Sequence, residues 1–331
     1  MRFAPSDEQR EFARSLDDLL GAARVPAVSR RWADGDGAGG LELWRRLAET
    51  GVSALCVPET HGGLGAGPAD VVVAFEALGR HLVPGPYVES VVLAPALLAA
   101  FDGGPPLEDL TPLEDLAGGT AIVTVAAPPA TPFALDADIA GEVLLLDGVT
   151  LRTASAGAMR ASVDRSRRLF EVRPRRVLAT LDPGRVARAL DAATLACSAQ
   201  LLGAGERVLA AAVEYAGSRR QFGRPIGEYQ ALKHALADVR VALDFARPLV
   251  YGAAVSLAAE AGTTARDVSA AKVAVSRAAY RAARTALQTH GAIGYTEEYD
   301  LGLWITKIRA LTTAWGTTAF HRARVLAAVT A

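Results

Sequence analysis

The chain has 331 residues, is 51% apolar and carries a net charge near −1. Its length predicts one to three domains and a large core. Its charge balance supplies neither a basic field for nucleic acid nor a polybasic surface for a membrane. No apolar run reaches the roughly 20 residues of a spanning helix. The opening MRFAPSDEQREFARSL has charges where a signal sequence has an apolar centre, so a cytoplasmic protein is expected. Cys56 and Cys197 lie far apart, which fits two small reduced hydrophobes better than a bridge.

Three textures follow along the chain, and they divide it into a helical domain over 1–118, a reduced β domain over 119–183 and a helical bundle over 184–331. Ser6 ahead of Glu8 and Gln9 marks a helix start, with Phe12, Leu16, Leu19 and Leu20 at helical spacing. A second helix is expected over Leu41–Glu49. The stretch GVSALCVPETHGGLGAGPAD then reads as a long connection, because its glycines and prolines break any helix. Helix resumes from Pro68 to about Arg80 and from about Glu89 to Ala100. Residues 101–118 read as a Pro/Gly/acid linker or a short helical excursion.

The period changes over 119–182. Ala121–Ala126, Gly141–Asp147 and Ser166–Val172 suit strands. The basic run DRSRRLFEVRPRR at 164–176 reads as a solvated strand edge, with an anion contact as the minority reading. From Gly184 onward, long Ala/Leu/Val stripes predict four long helices, with breaks near Gly217–Gly227, Pro248, Gly262–Arg266 and Gly291–Thr296. Helices of this length need a partner face, and such bundles often oligomerise.

Two segments stand out. In SRRQFGRPIGEYQALKHALADV, residues 218–239, a turn presents Arg219, Arg220 and Arg224 between two helices, beside Phe222. Guanidinium groups there suit a diphosphate, and Phe222 could lie on a flat ring. A basic interhelical turn with a buried Phe anchor is the competing reading. In QTHGAIGYTEE, residues 288–298, a helix ends, turns through glycines and restarts at Thr296 with Glu297 and Glu298 in the new first turn. Gly291 and Gly294 could let a ligand approach the backbone, or could simply cap helices. The five histidines show no metal-ligand spacing. Dinucleotide-binding, P-loop and nucleophile-elbow motifs are also missing from the sequence.

Taken in order, SDEQREFARSL, ELWRRLAETGVSALCVPETHGGLGAG, FEALGRHLVPGP, SRRQFGRPIGEYQALKHALAD and QTHGAIGYTEEYDL resemble the acyl-CoA dehydrogenase family nearly end to end. The resemblance implies a mainly α fold with a small β domain: an N-terminal helical domain, a central β domain and a C-terminal four-helix bundle. It also implies an FAD cofactor, an acyl-CoA substrate and an electron-transfer acceptor. In the family the last two motifs typically serve the flavin of a neighbouring chain, which implies an oligomer. By that likeness Arg219 neutralises the pyrophosphate, Phe222 lies against the cofactor, and Gln230, Gln288 and Gly291 hold the adenosine half. Ala292 stands where a second glycine is usual.

Two departures from the family's pattern matter more. Removing an α-hydrogen as a proton needs a carboxylate in a dry pocket. That carboxylate usually precedes the Gly-Thr of the last helix, and here the segment reads Ala314-Trp315-Gly316-Thr317. Trp315 therefore occupies the usual base position, and no catalytic residue is assigned. A second known placement falls near Ala193 and is also empty, while nearby Asp191 reads as a cap or a solvated residue. The hydroxyl- and Gly-rich loop that seats the flavin ring reads AAPPATPF over 126–133, and no tryptophan lies within 119–182.

The resemblance thus implies a base-lacking subunit, like the short chains of actinobacterial heteromeric dehydrogenases, that pairs as an α2β2 heterotetramer with a longer homologue and completes its FAD site. Two alternatives stay open. One is an autonomous homo-oligomeric dehydrogenase with a relocated base, for which Glu206 and Glu214 are the candidates. The other is a flavin-free structural or binding protein on the same scaffold.

Overall fold

Ser6 caps the first helix as its spacing predicts. Its hydroxyl accepts from the Gln9 N–H at 3.2 Å, and the Gln9 side chain accepts from the Ser6 N–H at 3.0 Å. The computed structural model describes residues 5–101, 110–296 and 298–330. Helix α1 (Asp7–Ala22) buries Leu16 and Leu20. Helix α2 (Val25–Ala33) is unanticipated. Pro26 lies in its first turn, where a missing N–H leaves no helical bond unmade, so a residue that reads as a breaker is a start. Helix α3 (Ala38–Glu49) follows, and the connection to α4 (Pro68–Arg80) is turns with one short 3-10 helix, as expected.

Helix α4 is buried from Val71 to Gly79. It crosses α7 (Pro183–Ser218) so closely that a Cβ on Gly79 would lie 2.1 Å from the Gln200 carbonyl, and one on Gly203 would lie 1.9 Å from that of Glu76. Only glycine fits both places. The helix expected from Glu89 to Ala100 is a wide π-turn over Val88–Leu93, then α5 (Ala94–Leu98) and a 3-10 turn, Ala99–Phe101. Pro95 lacks the N–H that would continue a regular ladder. Within the linker expected over 101–118, residues 102–109 lie outside the described residues, and Leu113–Ala117 forms α6.

The sheet takes the order β1-β3-β4-β5-β2, from β1 (Val123–Ala126), β2 (Ala134–Leu135), β3 (Glu142–Asp147), β4 (Thr150–Arg160) and β5 (Leu169–Thr180). β1 pairs β3 in parallel and the other pairs are antiparallel. The Thr124 hydroxyl donates to the Leu135 carbonyl at 2.7 Å, which draws the two ends of the sheet together. β4 was unanticipated. Its small residues (TLRTASAGAMR) give little strand signal, and pairing on both sides holds it. The solvated edge expected over 164–176 holds for the exposed Arg173, Arg175 and Arg176 but fails at its start. Arg168 is buried, pairs with Asp136 and Asp138, and lies over the Trp32 ring.

In the bundle α7, α8 (Gln230–Ala258) and α9 (Thr264–His290) are long. The fourth place is shared by two short helices, α10 (Leu301–Leu311) and α11 (Thr318–Thr330), divided at Trp315-Gly316. Helix α8 runs through Pro248, where a break was expected. The restart expected at Thr296 comes at Leu301; Glu298 precedes the helix and Glu297 lies outside the described residues. Helix α8 is also long and apolar enough to cross a membrane by length and composition, contrary to the run-length reading. Its inner residues, however, lie in the common core, and its Arg247 pairs with Glu76 of α4 and Glu206 of α7.

Candidate functional site

The first motif folds as a tight hairpin. Arg220–Gln221 pairs antiparallel with Arg224–Pro225, leaving Phe222 and Gly223 at the tip with φ of 52° and 85°. Two positive φ values suit a hairpin of right-handed twist, but the left-handed region is costly for phenylalanine. The turn nevertheless holds Phe222 out with 92% of its surface exposed, which overturns the reading of a buried anchor. Arg219 stands at the base of the hairpin, also exposed, and its carbonyl accepts from the Ile226 N–H at 2.8 Å. Arg224 folds back over the Tyr229 ring at 4.1 Å, so it is not presented alongside Arg219. Gln230 opens α8 directly afterwards and is exposed.

The second motif lies at the same end of the bundle. Tyr215, in the last turn of α7, stacks on His290, the last residue of α9, with ring centroids 4.3 Å apart. Both connections therefore leave from one stacked pair. Gln288, Gly291 and Ala292 are exposed. Gly291 has φ 64° and ψ −140°, a conformation that requires glycine. Gly294 serves packing instead of ligand approach, since a Cβ there would lie 3.0 Å from Leu287 and 3.3 Å from His290. Gln288 and Gly291 line a cleft of about 370 Å³ together with Arg284, Tyr295 and Arg309, whereas Arg219 and Phe222 stand outside it.

A neighbouring cleft of about 490 Å³ separates the loop after β1 from α10. Pro129, Pro132 and Phe133 form one wall, Ala310 and Ala314 the other, and Arg167 and Arg309 supply the charge. No Asp or Glu lines it among the described residues. The loop is poor in donors: Pro128, Pro129 and Pro132 have no N–H, and the Ala127 and Thr131 N–H groups bond each other's carbonyls at 2.7 and 2.9 Å. The sequence reading missed Arg284 and Arg309, and it included Arg167 only in the basic run 164–176, where an anion contact was the minority reading. Arg309 shares the apolar helix LGLWITKIRAL with a single other cation, Lys307, which is the signal that could have found it.

Trp315 faces away from solvent. It is 2% exposed, belongs to the main core and sits at φ 59°. His321 Nε2 donates to its carbonyl at 2.9 Å, and the Ser269 hydroxyl lies 3.1 Å from His321 Nδ1. Burial first, then the charges of Lys272 and Arg324, lower the His321 pKa to about 4, against the carbonyl contact, so the ring is neutral. Asp191 is neither a cap nor solvated: it is buried and pairs with Arg324 at 2.8 Å.

The proposed alternative bases are elsewhere. Thr194 lies beside Trp315, its hydroxyl 3.5 Å from the Trp315 carbonyl. At 1.5 Å per residue Glu206 is about 18 Å and Glu214 about 30 Å further along α7. Glu206 also pairs with Arg80, Arg240 and Arg247. Among the other buried carboxylates, Glu89 has its pKa raised furthest into the neutral range. Glu89 is 1% exposed in the π-turn, and burial raises its pKa to about 7 against the pull of Arg167, but it lines neither cleft.

Residues 6–101 match the acyl-CoA dehydrogenase N-terminal domain family, and residues 184–330 match the acyl-CoA dehydrogenase C-terminal domain family. The acyl-CoA dehydrogenase IpdE2 of Mycobacterium tuberculosis is 34% identical over 307 residues, covering 92% of this chain and 91% of that protein. The chain belongs to the acyl-CoA dehydrogenase family. Solved structures share its fold. Butyryl-CoA dehydrogenase of Megasphaera elsdenii superposes with a TM-score of 0.85 at 21% identity over 100% of both chains. A chain of the ChsE4-ChsE5 complex of Mycobacterium tuberculosis does so with 0.84 at 24% identity, over 100% of this chain and 99% of that one.

FAD is the cofactor of the acyl-CoA dehydrogenase family, and the two halves of the molecule meet different fortunes here. Exposed Arg219 and the Gln288–Gly291 turn offer a cation and amide groups suited to a pyrophosphate and adenosine. The proline-rich loop, with three N–H groups missing and those of Ala127 and Thr131 bonded to each other's carbonyls, is a poor fit for the hydrogen-bonding edge of an isoalloxazine.

Proposed function

We propose that this chain is the base-lacking subunit of a two-component acyl-CoA dehydrogenase, and that its Arg219–Phe222 hairpin and Gln288–Ala292 turn complete the FAD site of a longer homologous partner. The observation that carries this reading is the cleft beside α10: among the described residues no carboxylate lines it, and Trp315 is turned into the core. Phe222, held in the open at a costly backbone angle, is what a surface awaiting a partner's ligand requires. The name of the ChsE4-ChsE5 complex attests that this fold occurs in assemblies of two unlike chains.

Bound flavin would accept the β-hydrogen of an acyl-CoA as hydride, and the partner's carboxylate would take the α-proton. On this chain Arg219 neutralises pyrophosphate charge, Phe222 covers the cofactor from solvent, and Gln288 and Gln230 orient the adenosine side. The assembly is a cytoplasmic α2β2 heterotetramer that passes electrons to an electron-transfer acceptor, acting on thioesters from lipid or steroid side-chain breakdown.

The test is to purify the chain alone and after co-expression with a longer homologue encoded beside it, measuring flavin absorbance per chain. The proposal expects little flavin alone and a yellow, active complex together. One tightly bound flavin per chain with acyl-CoA turnover by the chain alone would establish an autonomous enzyme. A colourless complex with every neighbouring homologue would favour the flavin-free scaffold.

A further inference from the structure

Lys272 of α9 is 0% exposed, and its Nζ lies 3.0 Å from Cys197 Sγ on α7 and 2.7 Å from the Leu311 carbonyl. Cys197 is equally buried. The polar contacts of Lys272 Nζ are this sulfur and the Leu311 carbonyl, and among the described residues no carboxylate pairs with it. Burial lowers its pKa, which brings the neutral, nucleophilic amine within reach. The sulfur also rests against the Leu311 carbonyl, which it shares with Lys272, and against that of Ala314, at 3.7 and 3.9 Å. Ala310 and Ala314 form a wall of the 490 Å³ cleft, so one turn of backbone separates the sulfur from a space that admits small molecules.

We propose that Cys197 and Lys272 are a modification site, which hydrogen peroxide converts into a covalent sulfenamide cross-link between α7 and α9. In the first step the sulfur attacks one peroxide oxygen. The S–O bond forms, the O–O bond breaks, and the departing oxygen takes the thiol proton and leaves as water. In the second step the Lys272 nitrogen attacks the sulfenic sulfur. The S–N bond forms, the S–O bond breaks, and hydroxide leaves with an amine proton as a second water. The peroxide is reduced to two waters and the pair loses two hydrogens. An amine already in contact with the sulfur intercepts the sulfenic acid before a second peroxide can carry it to the sulfinic level. The product ties the bundle together directly beneath the Trp315 turn.

The experiment treats the purified full chain with hydrogen peroxide, quenches it, and maps its peptides by mass spectrometry. The expected result is a linked pair of peptides containing Cys197 and Lys272, two hydrogens lighter than their sum and separated again by a thiol reductant. In Lys272→Met the link is absent and Cys197 proceeds to sulfinic acid. Recovery of wild-type Cys197 as sulfinic acid or unmodified thiol, or a bridge that retains an oxygen atom, would overturn the proposal. The wild-type map decides it alone should the variant fail to fold.

Discussion

His321 Nε2 donates to the carbonyl of Trp315 at 2.9 Å, and this bond locks the turn on which the dehydrogenase question depends. Trp315 takes a left-handed φ, the His321 ring beneath it is neutral, and Ser269 and Arg324 continue the network to Asp191. The turn is built around an indole. It is not a catalytic loop with one residue missing.

Trp315→Glu should therefore yield no acyl-CoA turnover, because the donor-poor loop at 127–133 still cannot seat a flavin ring. It should also destabilise the chain by at least about 3 kcal/mol, since it removes a buried indole and buries a carboxylate. Urea unfolding and a turnover assay on the same preparation check both halves. Activity from this one change would show that the loop had been misjudged.

Arg219→Ala should weaken flavin retention in the two-chain complex by about 1.5–3 kcal/mol, the range for a hydrogen bond to a charged group. Because Arg219 is exposed, the unfolding midpoint of the isolated chain should not move. Flavin titration of the complex, paired with a melt of the chain, separates the two effects.

The Glu76, Arg80, Glu206 and Arg247 cluster joins α4, α7 and α8. Burial pushes the Glu76 pKa up, and Arg247 opposes that. Arg247→Met leaves Glu76 buried with one fewer partner and should cost about 3 kcal/mol in urea unfolding. A loss under about 1 kcal/mol would place the cluster with surface ion pairs.

Two buried groups give opposing pH dependence. His321 has a folded value of about 4, below its ordinary 6.5, so the unfolded chain binds the proton more readily and this contribution is lost as pH falls from 6.5 towards 4. Glu89 has a folded value of about 7, above its ordinary 4.5, so its contribution is present below pH 4.5 and is lost as pH rises from 4.5 to about 7. Glu89→Gln should therefore gain thermal stability over the wild type as pH rises from about 4.5 to about 7, with the difference level above that. A difference independent of pH, read from melting curves, would contradict this.

The sequence was most readable where local chemistry and packing agree. Ser6 and Gln9 announced the first cap, and Pro68–Arg80 emerged with its expected bounds. It misled where tertiary context overrides a local signal. Pro26 and Pro248 are both tolerated in helices, the alanine-rich β4 is held by its neighbours, and Arg168 is drawn inward by Asp136 and Trp32. The residues of the two bundle motifs could be named from sequence. That Phe222 stands at a hairpin tip, and that Gln288 lines a cleft while Arg219 does not, depend on a left-handed turn and on the Tyr215–His290 stack. Both are long-range or backbone features without a sequence signature.

The most direct measurement is the flavin released per chain when the purified two-chain complex is denatured. One flavin for each pair of unlike chains is the expected result, with the Trp315-bearing chain holding none of its own. One flavin for every chain would mean that the cleft beside α10 seats a cofactor after all, and would contradict the assignment of this chain as the base-lacking subunit.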